Sequence, residues 1–321
     1  MPTPRCELSI VVSVYNEEAV LDRFWAELAR VLATMPGCEV LFVDDGSTDR
    51  GSTVLARIAA ADPRVSVIML SRNFGHEAAM IAGIDAAAGR AVVVMDADLQ
   101  HPPSMVPAML ERYRSGHDIV MMARSDNKGV SWLSKNLSAL FYRLINRIAH
   151  TAMVPNASDF FLVSDRVAAI LRTEYRERVR FLRGIVQTVG FPRAVIEFDA
   201  PRRGGGRSKY SVVRLVMLSL SAIASFSNLP LVLGVISGVI VGLFAIAVAV
   251  YSMTMKLRGQ VVSGYTTIVV LISSLSAIQL FITGLIGQYV GYLFQESKAR
   301  PLYLVKDAYG AAVGGAPPAA N

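Results

Sequence analysis

Short unbroken apolar runs alternate with amphipathic stretches from residue 8 to residue 123. Leu8–Val14, Glu39–Val43, Val65–Leu70, Ala91–Met95 and Ile119–Ala123 read as strands buried on both faces. Between them, Val20, Leu21, Phe24, Leu28 and Leu32 recur at helical spacing, with Asn16 placed to cap the helix. Thr48–Ala61 and the Ala-rich Glu77–Ala88 are also helical, and Pro102 and Pro103 open a fourth helix that runs to Tyr113. This alternation predicts an α/β domain on a mostly parallel sheet covered on both faces. Ligands of such sheets bind outside the carboxyl ends of the strands. Acidic residues gather there: Glu17 after the first strand, Asp44 and Asp45 after the second, Asp96 and Asp98 after the fourth.

The pattern then changes. In Ser131–Ile148, Leu133, Leu137, Leu140, Phe141, Leu144, Ile145 and Ile148 form one face, with Lys135, Arg143 and Arg147 off it. Such a helix can pack on its own domain, but ahead of two long apolar runs it is expected to lie on a membrane surface. Tyr210–Phe226 is similar, and Asn228-Leu229-Pro230 ends it. No charged residue occurs from Leu215 to Met255 or from Gly259 to Gln295. A bilayer core needs about 20 apolar helical residues, which Leu229–Met255 and Thr266–Phe294 supply. Gly234, Gly238 and Gly242, and also Gly287 and Gly291, lie four apart and suit close helix packing, within one chain or in a homo-oligomer.

The expected organisation is a cytoplasmic catalytic domain over 1–210, including an interface helix at 131–150. A juxtamembrane helix at 211–228 comes next, then two transmembrane helices in 229–295 and a cytoplasmic tail over 296–321, disordered after Tyr309.

Composition sharpens this. The chain is 53% hydrophobic over 321 residues, and the excess sits in the two long runs. Leu8–Val14 is too short, and leads too directly into Asn16, Glu17 and Glu18, to be a signal peptide. Beyond residue 228 the cations are Lys256 and Arg258 in the inter-helix turn and Lys298, Arg300 and Lys306 in the tail, which favours both termini inside. The net charge of +7 suits a domain held against anionic lipid. Cys6 and Cys38 form no disulfide or metal pattern, as expected of a reduced cytosolic domain. Phosphate-loop, dinucleotide-binding and nucleophile-elbow motifs are all missing, which argues against ATPase, dehydrogenase and esterase functions. No nucleic-acid partner is expected.

Asp96-Ala97-Asp98 is the sharpest chemical feature. Paired carboxylates at a strand end are hard ligands suited to Mg²⁺ or Mn²⁺ shared with substrate phosphates, and Gln100 offers another oxygen. Asp44-Asp45-Gly46-Ser47 can accept hydrogen bonds from a ribose or base, or cap the next helix through Ser47 and Asp49. Tyr15 and Glu17 end the neighbouring strand. The Arg202-Arg203-Gly204-Gly205-Gly206-Arg207-Ser208-Lys209 loop suits an anion, either a lipid head group or an acceptor phosphate. His76, His101, His117 and His150 show no ligand spacing and are read as structural, with contact to substrate the alternative for His76 or His101.

Ser13-Val14-Tyr15-Asn16-Glu17, Val43-Asp44-Asp45-Gly46-Ser47-Thr48-Asp49, Arg72-Asn73-Phe74-Gly75, Met95-Asp96-Ala97-Asp98-Leu99-Gln100-His101-Pro102-Pro103 and Arg207-Ser208-Lys209-Tyr210 together resemble the family 2 inverting glycosyltransferases. The chain is most similar to the polyprenyl-phosphate glycosyltransferases, and Arg300-Pro301-Leu302-Tyr303 to their bactoprenol glucosyltransferase branch. The related groups are the dolichol-phosphate mannose synthases and the aminoarabinose transferase of lipid A modification.

The resemblance implies a GT-A (Rossmann-like) fold, a bacterial inner-membrane location and sugar transfer from a nucleotide diphosphate-sugar, UDP-glucose first, to polyprenyl phosphate. It implies that Tyr15, Glu17, Asp44, Asp45, Asp96 and Ala97 hold the nucleotide, and that Asp96, Asp98 and Gln100 hold the metal. Arg124, Lys135, Arg203, Ser208 and Lys209 would meet the acceptor phosphate. Asp159 matches the aspartate proposed as base, although an ionised lipid phosphate needs no base and Asp159 can instead orient sugar or acceptor. The chain departs from the family at Ser13 (usually Pro), Phe161 (usually Arg), Gln288 (usually Glu) and Tyr292 (commonly Arg). Two rivals remain: a synthase with a hydroxyl acceptor and a non-catalytic membrane scaffold.

Overall fold

The computed structural model describes residues 6–125, 154–177, 181–199, 229–259 and 264–310. The helices expected at 131–150 and 211–228, the end of the tail, and Lys135, Arg203, Ser208 and Lys209 lie outside the described residues. The chain divides into two compact units.

In chain order the first unit contains β1 (Cys6–Val14), α1 (Glu18–Leu32), β2 (Cys38–Asp44), α2 (Gly51–Ala61), β3 (Val65–Leu70), α3 (His76–Ala86), β4 (Gly89–Asp96), α4 (Val106–Arg114) and β5 (Ile119–Arg124). It continues with β6 (Ala157–Ser164), α5 (Asp165–Thr173), α6 (Leu182–Thr188), β7 (Arg193–Phe198) and, from the end of the chain, β8 (Val305–Gly310). All eight strands join one sheet in the order β7-β5-β6-β4-β1-β2-β3-β8. The expected α/β architecture is present, and the five expected strands are β1 to β5. The central pairs β4–β1, β1–β2 and β2–β3 are parallel. β6 inserts antiparallel to both β4 and β5, and β8 adds antiparallel to β3.

The central strands are buried on both faces, as their unbroken apolar sequence requires. On one face Leu8, Ile10, Val12, Val40, Phe42, Val93 and Phe160 pack with Leu21, Phe24 and Leu28 of α1 and Met109 of α4. On the other, α3 lies so close to β1 that a β-carbon at Gly83 would stand 2.1 Å from Val11 Cγ1. Each fully buried Val, Leu or Phe contributes roughly 1.5–3 kcal/mol. Asp159 and Phe161 alternate with Phe160 on β6 and so share the α3 face.

The second unit holds α7 (Leu229–Leu257) and α8 (Tyr265–Ser297). Ile236–Met255 and Val270–Ser297 have mean hydropathies of 2.2 and 1.9 and are 0% buried, so both helices are long and apolar enough to cross a membrane. A β-carbon at Gly234 would stand 3.6 Å from Ile282 Cγ2, whereas at Gly238, Gly242, Gly287 and Gly291 it would meet none of the described atoms within 4 Å.

Candidate active site

Three loops leave the carboxyl ends of β1, β2 and β3 and are stitched together by side-chain-to-backbone hydrogen bonds. Asn16 takes φ 55°, a left-handed conformation that asparagine tolerates. It does not cap α1: its Oδ1 accepts from Thr48 N (2.8 Å) in the next loop, and its own N–H donates to Ser47 Oγ (3.0 Å). Ser47 therefore does not cap α2. Asp49 serves both helices, accepting from Glu18 N and Gly51 N, each at 2.9 Å. Each loop satisfies amides its neighbour leaves free, which a reading confined to one helix could not find.

Asp44 and Asp45 are 1% and 2% exposed. Asp44 Oδ1 accepts from Ser47 N (2.9 Å), tightening its own turn. Asp45 accepts from Phe74 N (2.7 Å) and Gly75 N (3.0 Å), clamping the β3–α3 loop. Burial pushes the Asp45 carboxyl up from its ordinary value, against the pull of those amides. Gly46 takes φ +69°, and a β-carbon there would stand 2.5 Å from the Arg72 carbonyl carbon, so only glycine lets these loops meet. Tyr15 is 45% exposed beside this loop cluster, and Glu17 sits at the N-cap of α1.

β4 ends at Asp96, and Leu99 takes φ 63° in the turn beyond it. Ser13 Oγ donates to Asp96 Oδ1 at 2.7 Å, so its oxygen accepts from His76 Nδ1 at 3.2 Å. The serine that replaces the family proline thus has a partner here. His76 Nε2 lies 3.4 Å from the same Asp96 oxygen. Burial, reinforced by the charges of Asp98 and Asp159, pushes the Asp96 carboxyl up to about 6. His101 Nδ1 accepts from Asp96 N (3.0 Å), which puts its proton on Nε2. Burial, then the Arg124 charge, push His101 down to about 3, so its 3.6 Å approach to Asp96 Oδ2 is not an ion pair. It stacks on Phe160 with ring centroids 5.1 Å apart.

Asp98 Oδ1 accepts from Gln100 N at 3.0 Å. Gln100 Oε1 accepts from Arg124 Nη2 at 3.0 Å, so this oxygen carries a guanidinium. Among the described residues no three His, Cys, Asp or Glu side chains gather as a metal cage. Asp96 and Asp98 are nonetheless a hard oxygen pair one residue apart at the end of β4, and Asp98 adds its negative charge to that of Asp96. That set fits a Mg²⁺ or Mn²⁺ that completes its shell with substrate phosphate and water.

Two residues missed in the sequence join this region. Arg183, from α6, stands with Nε 3.8 Å from Asp159 Oδ1 and donates through Nη1 to Ala157 O at 2.9 Å. Glu77, in the first turn of α3, accepts from Leu182 N. Burial, then the Asp159 charge, push its carboxyl up to about 7. Glu77 reads in the sequence as an ordinary first-turn acid; in the fold it is half-buried, and the amide it accepts from comes from α6, about a hundred residues downstream. Nε of Arg124 and Nε of Arg183 are buried and have no hydrogen-bond partner among the described residues.

A model of Glycosyl transferase family 2 matches residues 9–171. An uncharacterized glycosyltransferase of Bacillus subtilis is 37% identical over 309 residues, covering 95% of this chain and 94% of its own. The bactoprenol glucosyl transferase of Shigella phage SfV is 34% identical over 303 residues, covering 94% of this chain and 98% of its own. A prophage bactoprenol glucosyl transferase homolog of Escherichia coli is 33% identical over 306 residues, with coverages of 94% and 98%.

Proposed function

The chain belongs to glycosyl transferase family 2, and on that footing we propose that it transfers a sugar, with inversion, from a nucleotide diphosphate-sugar to polyprenyl phosphate. UDP-glucose is the first donor to test. The observation that carries the reading is the set of carboxylates Asp44, Asp96 and Asp98 where β2 and β4 end, with Asp159 on β6. The names of the bactoprenol relatives support the lipid acceptor, and the two long apolar helices suit an enzyme whose acceptor is dissolved in a bilayer. The proposed setting is the bacterial cytoplasmic membrane, with the catalytic domain and both termini on the cytoplasmic side.

In the proposed reaction an acceptor phosphate oxygen attacks the anomeric carbon from the side opposite the diphosphate. The bond from that carbon to the diphosphate oxygen breaks, and the nucleoside diphosphate leaves with the electron pair. Asp44, Tyr15 and Glu17 hold the nucleoside, and Asp45 holds the loop beside it. Asp96 and Asp98 would hold Mg²⁺ or Mn²⁺, which when bound stabilises charge on the leaving diphosphate. The acceptor phosphate is already ionised, so Asp159 orients the sugar rather than taking a proton, and Arg183 keeps it in place. The Nε–H groups of Arg124 and Arg183, which lack a hydrogen-bond partner among the described residues, are donors that substrate oxygens can satisfy. Lys135, Arg203, Ser208 and Lys209 are proposed for the acceptor phosphate.

The test is a transfer assay with the purified full chain, undecaprenyl phosphate, Mg²⁺ or Mn²⁺ and radiolabelled UDP- and GDP-sugars. Metal-dependent label in the organic phase is expected. Donor binding without lipid transfer would point to a hydroxyl acceptor, and no donor binding would sink the reading.

A further inference from the structure

The end of the chain returns to the sheet beside the nucleotide side of the site. β8 pairs with β3, setting Val305 opposite Leu70 and Tyr309 opposite Val67. Just ahead of β8, Leu304 O accepts from Ser71 N at 2.8 Å. Ser71 opens the loop whose other end, Phe74 and Gly75, is clamped by Asp45. One residue earlier, Tyr303 Oη donates to Asp85 Oδ2 at 2.7 Å, across 218 positions of sequence.

Asp85 lies in the last turn of α3, the helix whose first turn carries His76 and Glu77. Arg176 Nη1 donates to both Asp85 oxygens at 2.9 Å. Arg172 closes the same helix end on Ile84 O (2.8 Å) and Ala87 O (2.7 Å). The helix and its entry loop are therefore held at one end by a carboxylate of the nucleotide loops. At the other end they are held by residues 303 and 304.

We infer that residues 303–310 are a positioning element of the donor site and that Tyr303 is its positioning residue, setting α3 and the 71–75 loop through Asp85. The inference rests on the proposed nucleotide-sugar chemistry. A strand that merely stabilised the sheet would affect donor, acceptor and turnover together. A positioning element acts on the donor alone.

The test uses the full-length protein with Tyr303→Phe, which removes one hydroxyl and leaves the backbone pairing of β8 intact. Loss of one hydrogen bond predicts a KM for the nucleotide-sugar raised roughly three- to tenfold, with kcat within about twofold and the KM for polyprenyl phosphate unchanged. Hydrogen exchange at the Phe74 and Gly75 amides should quicken by a similar factor while β1 and β4 stay protected. Asp85→Asn, which still accepts from Tyr303 but weakens the Arg176 contact, should shift the same two readouts in the same direction. Unchanged donor KM and unchanged Phe74 and Gly75 exchange in Tyr303→Phe would overturn the inference. So would a uniform loss of kcat and of protection across the sheet. A wild-type enzyme that transfers no nucleotide-sugar would sink the functional reading alone, and the exchange data would still decide whether Tyr303 holds the loop.

Discussion

Replacing Glu77 by glutamine should stabilise the protein at pH 8 and do little at pH 5. The carboxyl is pushed up to about 7 from an ordinary 4.5, first by burial and then by the Asp159 charge. A carboxyl whose pKa rises on folding binds its proton more tightly in the folded state, so stability falls as pH rises from the unfolded value through the folded one. The window is therefore about 4.5 to 7, and above it the whole penalty is present. The gap between those values sets an upper bound of about 3 kcal/mol, and relaxation and water entry reduce it to about 1–2 kcal/mol.

Glutamine keeps an oxygen for the Leu182 amide and removes the charge. For a unit of this size, about 1 kcal/mol corresponds to roughly 2–4 °C in Tm. Thermal unfolding of wild type and Glu77→Gln in detergent from pH 5 to 8.5 should give a difference that opens between pH 5 and 7.5, reaching about 2–8 °C in favour of the variant. Titrating groups that do not interact with Glu77 cancel in that difference. A pH-independent offset, or a variant less stable than wild type at pH 8, would refute the reasoning.

Asp98→Ala should lower transfer on the order of a hundredfold or more while the protein still inserts in membranes and keeps its Tm; retained activity would remove Asp98 from the metal. Asp45→Asn should be about as damaging as Asp45→Ala, because its NH₂ would face the N–H of Phe74 or Gly75. A loss of about 2–4 kcal/mol for both is expected in denaturant unfolding, and a well-tolerated asparagine would count against the clamp. Gly83→Ala should cost about 1–3 kcal/mol by overpacking on Val11, with Val11→Ala in the same chain recovering part of it in the same melts.

The parallel half of the sheet was legible because β1 to β4 are unbroken apolar runs with helical periodicity between them. β8 was not: its sequence, Val305-Lys306-Asp307-Ala308-Tyr309-Gly310, is an edge strand mostly open to solvent, and only pairing with β3 makes it a strand. β7, Arg193–Phe198, is half exposed for the same reason. At the site, the carboxylates at strand ends could be read directly, since α/β topology places them. The Glu77, Arg183 and Asp159 grouping could not, because it depends on α6 meeting α3 across a separation no local pattern encodes. The roles of Asn16 and Ser47 escape the sequence because local helix-capping rules do not anticipate an amide in the neighbouring loop.

β8 has one more consequence. It is hydrogen-bonded into a sheet whose other strands all precede the two long helices. A chain that leaves a compartment and rejoins its own sheet must cross the intervening barrier an even number of times. The strand therefore acts as a parity rule on the stretch between residues 199 and 305: two crossings satisfy it, one or three do not. Any topology map that set residue 305 across a bilayer from residue 198 would have to tear β8 from β3.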